Sequence, residues 1–465
     1  MADSHYSLII IGGGLSGLAA GIRFARFGES VLILEKHIVP GGLNSYYYRR
    51  NFLLETGLHA MTNYAEPKER HAPLNRLFRQ LNLSRKKYIT HEQFSSRILF
   101  QNDLALNFSN DISFLQEEIA AKFPGSIDTF NKLLHVIAAY DPFTPGKWVS
   151  TRETLADIIN DSLLIDMLLL PLMVYGNSEE HDMDFSQFVI MFRSIYLEGF
   201  FRPEGTIKEF LDMLVEKFRS LGGEIRYKSA VDSIVSDGKS ITGVRLADQS
   251  QLSCDNLIST VGTPGTEKLL NDIPHGAYPP GQMSFVESIF ILPREDKSKL
   301  KLIDDCTIIF YSLADQFDYC RPTLPLNPQW GVICFPENFQ GLTNSDYFQI
   351  RITNSANYDL WKNASKDQYK QMKEKWGRES RRVTEELIGN FYQNVVYEDS
   401  FTPVTIEKYT GKECGAVYGS PLKIKDGKTA YNNLFIAGTD QGYLGIIGSM
   451  LSGVTIVNQK ILSNS

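Results

Sequence analysis

Residues 6–20 read YSLIIIGGGLSGLAA: an apolar run, a glycine cluster, and the start of a second apolar stretch with a different period. Tyr6 to Ile11 is continuous and rich in β-branched residues, as a buried strand requires, whereas Leu18 to Phe27 carries its apolar positions at helical spacing. Val31 to Leu34 reads as a second strand, so the three segments make one βαβ unit of ~30 residues. Between strand and helix, Gly12-Gly13-Gly14-Leu15-Ser16-Gly17 fits GxGxxG, and Glu35 closes the next strand about 20 residues further on. Gly12 makes the tight turn, Gly14 lets backbone approach a diphosphate on the helix N-terminus, and Gly17 permits close packing of helix on strand. Glu35 accepts hydrogen bonds from ribose hydroxyls, and Leu15, Ser16 and Lys36 flank these contacts. With strand, helix and acid together, the motif predicts dinucleotide binding rather than a glycine-rich turn.

NAD and FAD share that fingerprint, so other residues must choose between them. Pro40-Gly41-Gly42-Leu43-Asn44 places a glycine pair just after Glu35, where backbone amides can wrap a diphosphate. Near the opposite end of the chain, residues 433–440 (NLFIAGTD) form a strand running into Gly438 and Asp440, suited to ribityl or diphosphate oxygens. A long cofactor needs such a second contact set, which favours FAD. Gly445-Ile446-Ile447-Gly448 then opens a helix whose N-terminal amides and dipole can stabilise negative charge on the pyrimidine side of a reduced flavin. No second GxGxxG follows a strand, so a stored nicotinamide site is not expected. Electrons are expected to pass through oxygen, a quinone or a diffusible carrier.

With 465 residues, 43% hydrophobic and 12% aromatic, the chain can bury cores for two or three domains. A net charge of −7, from 47 basic and 54 acidic residues intermixed, gives no basic field for nucleic acid. Five cysteines without a CxxC pair fit a reducing compartment, and argue against a disulfide framework and a structural zinc site. The histidines outside the N-terminal tail show no ligand spacing, so no metal is expected. Asp3 precedes the first apolar run without a basic n-region or a cleavage site, so the run is a strand and not a signal peptide. Leu163 to Tyr175, the most apolar stretch, is broken by Asp166 and Pro171 and is shorter than the ~20 residues of a membrane span. A cytoplasmic protein is expected.

The pattern predicts a hairpin within 88–108 around Gln101-Asn102-Asp103, and helices over 112–123, 126–140, 154–174 and 206–221. Three strands follow between 224 and 258, four strand-like runs between 280 and 352, and a polar-faced helix over 366–389. A strand over 434–437 and a helix from 445 close the chain. No linker separates these segments, so the expected class is α/β with interleaved parts. A Rossmann-type FAD-binding domain is drawn from 1–87, 206–275 and 400–465, and a substrate domain of mixed antiparallel sheet plus helices from 88–111 and 276–399. A helical subdomain occupies 112–205.

Four stretches carry a family resemblance: residues 35–59 (EKHIVPGGLNSYYYRRNFLLETGLH), 202–227 (RPEGTIKEFLDMLVEKFRSLGGEIRY), 402–419 (TPVTIEKYTGKECGAVYG) and 434–454 (LFIAGTDQGYLGIIGSMLSGV). They resemble the FAD-dependent amine oxidase and phytoene desaturase superfamily, within its branch of carotenoid desaturases, carotenoid isomerases and retinol saturases. The last two stretches are the more specific. The resemblance implies that Val231 lies against the adenine with Val261 and Gly262 nearby, and that Glu55 to His59, including Gly57 and Leu58, line the isoalloxazine. It implies that Gly438, Asp440, Ile446 and Ile447 hold the ribityl and pyrimidine end. Two positions depart from the pattern. Leu43 stands where many relatives have arginine, and Glu204-Gly205 replaces a glycine pair, so a diphosphate contact from arginine is not expected at Leu43.

His59 is the candidate catalytic residue, since an imidazole beside a flavin can move protons near neutral pH; the alternative is a histidine that only hydrogen-bonds flavin or backbone. Tyr443 either faces the flavin or packs. The aromatic-rich segments PLMVYG (171–176), FVIMFRSIYLEGFF (188–201) and SIFIL (288–292) are candidate walls of a long apolar tunnel, with ordinary core packing as the alternative. Arg193 within the aromatics of 185–201 and Arg202 just after them suggest a helix on a membrane face, against a solvated or dimer-forming helix. The expected function is FAD-dependent hydride transfer on a long apolar substrate, a carotenoid, polyprenoid, retinoid or acyl chain. A flavin amine oxidase acting on a C–N bond, or a flavin-bound scaffold without turnover, are the alternatives.

Overall fold

The computed structural model describes residues 5–144, 146–270, 276–301, 306–342 and 345–463. Asp3 and the expected domain boundary at residue 275 lie outside them. The opening motif folds as the spacing requires: strand β1 (His5–Ile11), helix α1 (Leu15–Ala25) and strand β2 (Val31–Leu34). Every residue of β2 is buried, as expected of a strand covered on both faces. Helix α1 starts at Gly14, whose backbone is extended, and packs on the helices Ile207–Ser220 and Gly445–Ile456.

Strands from distant parts of the chain complete the first sheet, whose order is Glu224–Arg226, β2, β1, Gln251–Ser259, Ile241–Leu246, Val231–Ser236. Leu434–Ile436 also pairs, in parallel, with Gln251–Ser259. The registers align Ile11 with both Leu34 and Ser259, and Ser259 with Ile436, so these parallel strands stop at one edge. The residues that follow them, Gly12, Glu35, Thr260 and Ala437, therefore open on one crevice, where parallel α/β sheets bind ligands.

The second sheet runs Tyr397–Phe401, Ser284–Pro293, Tyr347–Ala356, Leu326–Cys334, Ile308–Ser312, Ser96–Leu99, Ala105–Phe108. It is antiparallel except where Ile308–Ser312 pairs with Ser96–Leu99. Its strand Tyr397–Phe401 runs across the expected boundary at residue 400. The third expected segment is helical, with helices Ile112–Lys122, Ile127–Ala139, Thr151–Ala156, Ser162–Gly176 and Phe185–Phe192.

Three expectations need correction. The helix predicted over 154–174 is two helices, because the Asp161 carboxylate accepts from the amides of Leu163 and Leu164 and starts a new helix there. Between 224 and 258 there are four strands, since Val231–Ser236 pairs as a hairpin with Ile241–Leu246. The segment 185–201 is not a membrane-facing surface: Phe185, Phe188, Val189, Met191 and Phe192 are buried in the main apolar core. Six of the eight residues of its helix FSQFVIMF are buried, as in an interior helix. Among the described residues no helix is long and apolar enough to cross a membrane.

Candidate active site

A cavity of about 1040 Å³ opens at the strand-end crevice and extends to the second sheet. That volume is at the upper end of the ~300–1,000 Å³ common for small-molecule sites. Most of the predicted cofactor residues share its wall. Gly12, Gly14, Leu15, Ser16, Glu35 and Lys36 come from the βαβ unit; Gly41, Gly42, Leu43 and Asn44 come from the turn after it. Gly57, His59, Val231, Val261, Gly438, Gly445 and Ile446 complete the set.

Six predicted contacts lie off the wall, among them Glu55, which is buried against Arg202. Gly17 packs against the strand end: a Cβ there would sit 2.1 Å from the Gly12 carbonyl oxygen. Leu58 and Ile447 are fully buried in the core. Gly262 caps the helix Thr263–Leu269. Asp440 is turned away from the cavity, with Oδ2 accepting from Thr263 N at 2.6 Å and Thr263 Oγ1 at 2.8 Å, and Oδ1 from Ser420 N at 3.0 Å. Its carboxylate braces the loops that shape the site, because it accepts from donors on two other segments. Tyr443 also packs away from the cavity, stacked on Phe143 with ring centroids 5.7 Å apart.

The wall fits FAD. At Gly14, which is on the wall, an added Cβ would meet no protein atom within 4 Å, so the missing side chain leaves an open cradle at the N-terminus of α1. Glu35 Oε2 accepts from Gly13 N at 2.8 Å and Oε1 from His37 N at 2.7 Å. These bonds fix the carboxylate and leave each oxygen capacity to accept from a ribose hydroxyl. Two lysines add positive charge. Lys412 Nζ donates to Thr439 Oγ1 at 2.7 Å, and burial lowers its pKa; burial likewise lowers that of Lys36, with Glu35 partly opposing. Among the described residues neither ammonium has a carboxylate within salt-bridge distance, and both are on the cavity wall. Partly desolvated ammonium groups on a cavity wall are well placed for an occupant that carries negative charge.

Where the cavity meets the second sheet it carries a charged cluster that the sequence reading did not single out. Glu287 lies opposite Thr353 in the antiparallel pairing, and Ile289 lies opposite Arg351, so the three polar side chains share one face. His59 Nε2 is 2.8 Å from Glu287 Oε1, Arg351 Nε donates to the same oxygen at 2.7 Å, and Thr353 Oγ1 donates to Oε2 at 2.5 Å. Burial alone would raise the Glu287 pKa, but the charges of Arg351 and His59 outweigh it and hold the carboxyl down at about 2. A second pair supports the loop carrying His59: Arg202 Nη2 donates to Glu55 Oε2 at 2.7 Å, and Arg202 Nη1 to the Leu58 carbonyl at 2.9 Å. A charged residue inside the otherwise apolar runs MSFVESIFIL and YFQIRI is the signal that could have revealed Glu287 and Arg351, since a buried charge needs a partner.

Around this cluster the wall is apolar, with Val174, Tyr175, Phe285, Val332 and Val417. The expected tunnel therefore shrinks to a chamber. From 171–176 only Val174 and Tyr175 reach it, and from 188–201 and 288–292 none does, since most of those side chains are consumed in the cores.

A family model described as flavin containing amine oxidoreductase matches residues 15–289. The chain belongs to that family. It is an FAD-dependent oxidoreductase, and its relatives carry the branch seen in the sequence. A prolycopene isomerase of Daucus carota is 22% identical, over 97% of this chain and 79% of the relative. An all-trans-retinol 13,14-reductase of Danio rerio is 22% identical, over 97% of this chain and 86% of the relative. An oxidoreductase structure from Methanosarcina mazei is similar in fold at 16% identity, with a TM-score of 0.66 over 97% of this chain and 100% of that one.

Proposed function

We propose that the protein exchanges hydride between a C–H or C=C of a long apolar substrate, carotenoid, polyprenoid, retinoid or acyl chain, and its flavin, in desaturation, saturation or isomerisation. The observation that carries this reading is the chamber wall: apolar side chains surround one polar cluster whose carboxylate is already neutralised. FAD supplies the two-electron exchange at N5, and the protein supplies position, charge and protons. Lys36, Lys412 and the amides at Gly14 hold the diphosphate, and Glu35 holds the ribose. The apolar walls hold substrate by area, which suits a molecule with few polar handles. His59 is the candidate proton carrier, kept in one orientation by Glu287, while Arg351 keeps that carboxylate ionised. The same arrangement weighs against an amine substrate, because Glu287 is engaged by Arg351, His59 and Thr353 and offers little to a further cation.

The test is anaerobic incubation of purified holoenzyme with polyprenoids, carotenoids or retinoids, once with oxidised and once with photoreduced flavin, with products read by chromatography and mass. Expected is a substrate changed by two hydrogens or in double-bond geometry. Flavin bleaching by simple amines, with apolar substrates returned unchanged, would establish the C–N reading instead. Photoreduced flavin that reoxidises very slowly with every acceptor would mark a scaffold without turnover.

A further inference from the structure

Two loops far apart in sequence bring an imidazole, a carboxylate and a thiol together on the surface. His181 sits between the helices Ser162–Gly176 and Phe185–Phe192; Asp318 and Cys320 sit between the strands Ile308–Ser312 and Leu326–Cys334. Their ligand atoms all lie within 4.8 Å of one another, and no sequence spacing announces the group, because 137 positions separate His181 from Asp318. The Asp-Tyr-Cys segment alternates: Tyr319 is fully buried, so Asp318 and Cys320 both point outward toward His181.

The frame is fixed without help from those three side chains. His181 N donates to the Tyr319 carbonyl at 2.7 Å, and Tyr319 Oη donates to the Asn177 carbonyl at 2.9 Å. Arg152 ties the same loops together, with Nε on the His181 carbonyl at 2.7 Å and Nη2 on the Phe317 carbonyl at 3.3 Å. Arg321 N donates to Glu180 Oε1 at 2.7 Å, which adds another carboxylate beside the group.

The geometry points to a binding site for one borderline-soft divalent cation of the Zn²⁺ class, held by His181 Nδ1, Asp318 Oδ1 and Cys320 Sγ. Mixed nitrogen, sulfur and oxygen donors suit that ion, with a fourth position left to water or to Glu180. Bonds of about 2.0–2.3 Å at tetrahedral angles span ligand atoms roughly 3.6 Å apart, so side-chain rotation on the fixed frame closes the set. Binding exchanges the His181–Asp318 hydrogen bond, 2.7 Å in length, for bonds to the ion, and the Cys320 proton leaves to solvent. The ion would cross-link the two loops. The site is separate from the flavin cavity and does not depend on the proposed substrate.

The test uses the flavin-loaded protein, freed of metal with a chelator and titrated calorimetrically with Zn²⁺. Expected is one ion per chain, with affinity lowered by about 10–100-fold or more in Cys320→Ser and in His181→Gln. A second readout is site-specific: Zn²⁺ should slow alkylation of Cys320, followed by peptide mass, and leave the rate at Cys414, the other half-buried thiol, unchanged. No binding, or binding equally tight in both variants, would overturn the proposal. So would Zn²⁺ that binds without protecting Cys320.

Discussion

His59 Nε2 and Glu287 Oε1 lie 2.8 Å apart, although 228 positions of chain separate them, and Arg351 Nε takes the same oxygen at 2.7 Å. The guanidinium side chain is fully buried, so it is a fixed charge that stands behind Glu287, off the cavity wall. It keeps Glu287 ionised, and the carboxylate in turn orients the imidazole. A strand of the second sheet thus sets the orientation of a side chain on a loop of the flavin-side segment.

If His59 carries protons during turnover, His59→Gln should lower the rate by about 10²–10⁴-fold while the flavin spectrum and FAD content stay unchanged. Glu287→Gln keeps the ring in place but removes the charge beside it, so it should move the pH–rate profile rather than abolish turnover. A His59 that merely packs against flavin would give unchanged pH profiles in both variants. Steady-state rates between pH 5 and 9 decide this.

Glu287 also sets an acid limit on stability. Its folded pKa, about 2, is below the ordinary 4.5, so its contribution is complete above the ordinary value and is lost as pH falls from about 4.5 toward 2. Urea midpoints of the wild type should fall across that window. Arg351→Met leaves a buried carboxylate with His59 and Thr353 but without its permanent counter-charge, and should cost up to about 3–5 kcal/mol at neutral pH. Part of that loss should return on acidification, because a protonated Glu287 no longer needs a counter-charge. A variant whose deficit is the same at pH 7 and pH 3 would remove this account.

The βαβ unit, the class of the fold and the strand-end crevice were legible because each rests on local signals: a period, a glycine, an acid at fixed distance. Gly14, Glu35 and Gly438 could be read that way, although they come from both ends of the chain. Asp440 could not. Its position after a strand matched a cofactor contact, but its direction was decided by Thr263 and Ser420, which belong to other segments. The aromatics of 185–201 were equally ambiguous, since an apolar helix reads the same whether lipid, substrate or protein covers it. Cluster residues such as Glu287 and Arg351 become neighbours only through sheet register, which composition and spacing do not encode.

On the proposed reading, Lys412 and Lys36 hold the diphosphate in place of an arginine at residue 43, where this chain has Leu43. Each Lys→Ala change should weaken FAD binding by about 10–100-fold, the range of a charge-assisted hydrogen bond worth about 1.5–3 kcal/mol. The apoprotein should change little in stability, because among the described residues neither lysine is in an ion pair that the change would break. Lys412→Arg should retain most of the affinity. Flavin fluorescence quenching measures the constants, and apoprotein melting supplies the control; equal affinity for FAD in wild type and both alanine variants would exclude the lysines from the diphosphate.

Two glycines of one motif should behave oppositely on substitution. Gly14 has φ −71° and ψ 178°, a backbone open to any residue, and its added Cβ meets no protein atom within 4 Å. Gly14→Val should therefore leave the apoprotein's melting temperature nearly unchanged while filling the space that the diphosphate needs, so FAD affinity should collapse. Gly17→Ala puts a methyl 2.1 Å from the Gly12 carbonyl oxygen, which forces helix α1 off the strand end. Both the fold and FAD binding should suffer there, with destabilisation of about 1–3 kcal/mol or more from overpacking. If Gly14→Val destabilised the apoprotein as much as Gly17→Ala, the crevice at Gly14 would be a packing contact of the protein with itself, and the cofactor would have to lie elsewhere.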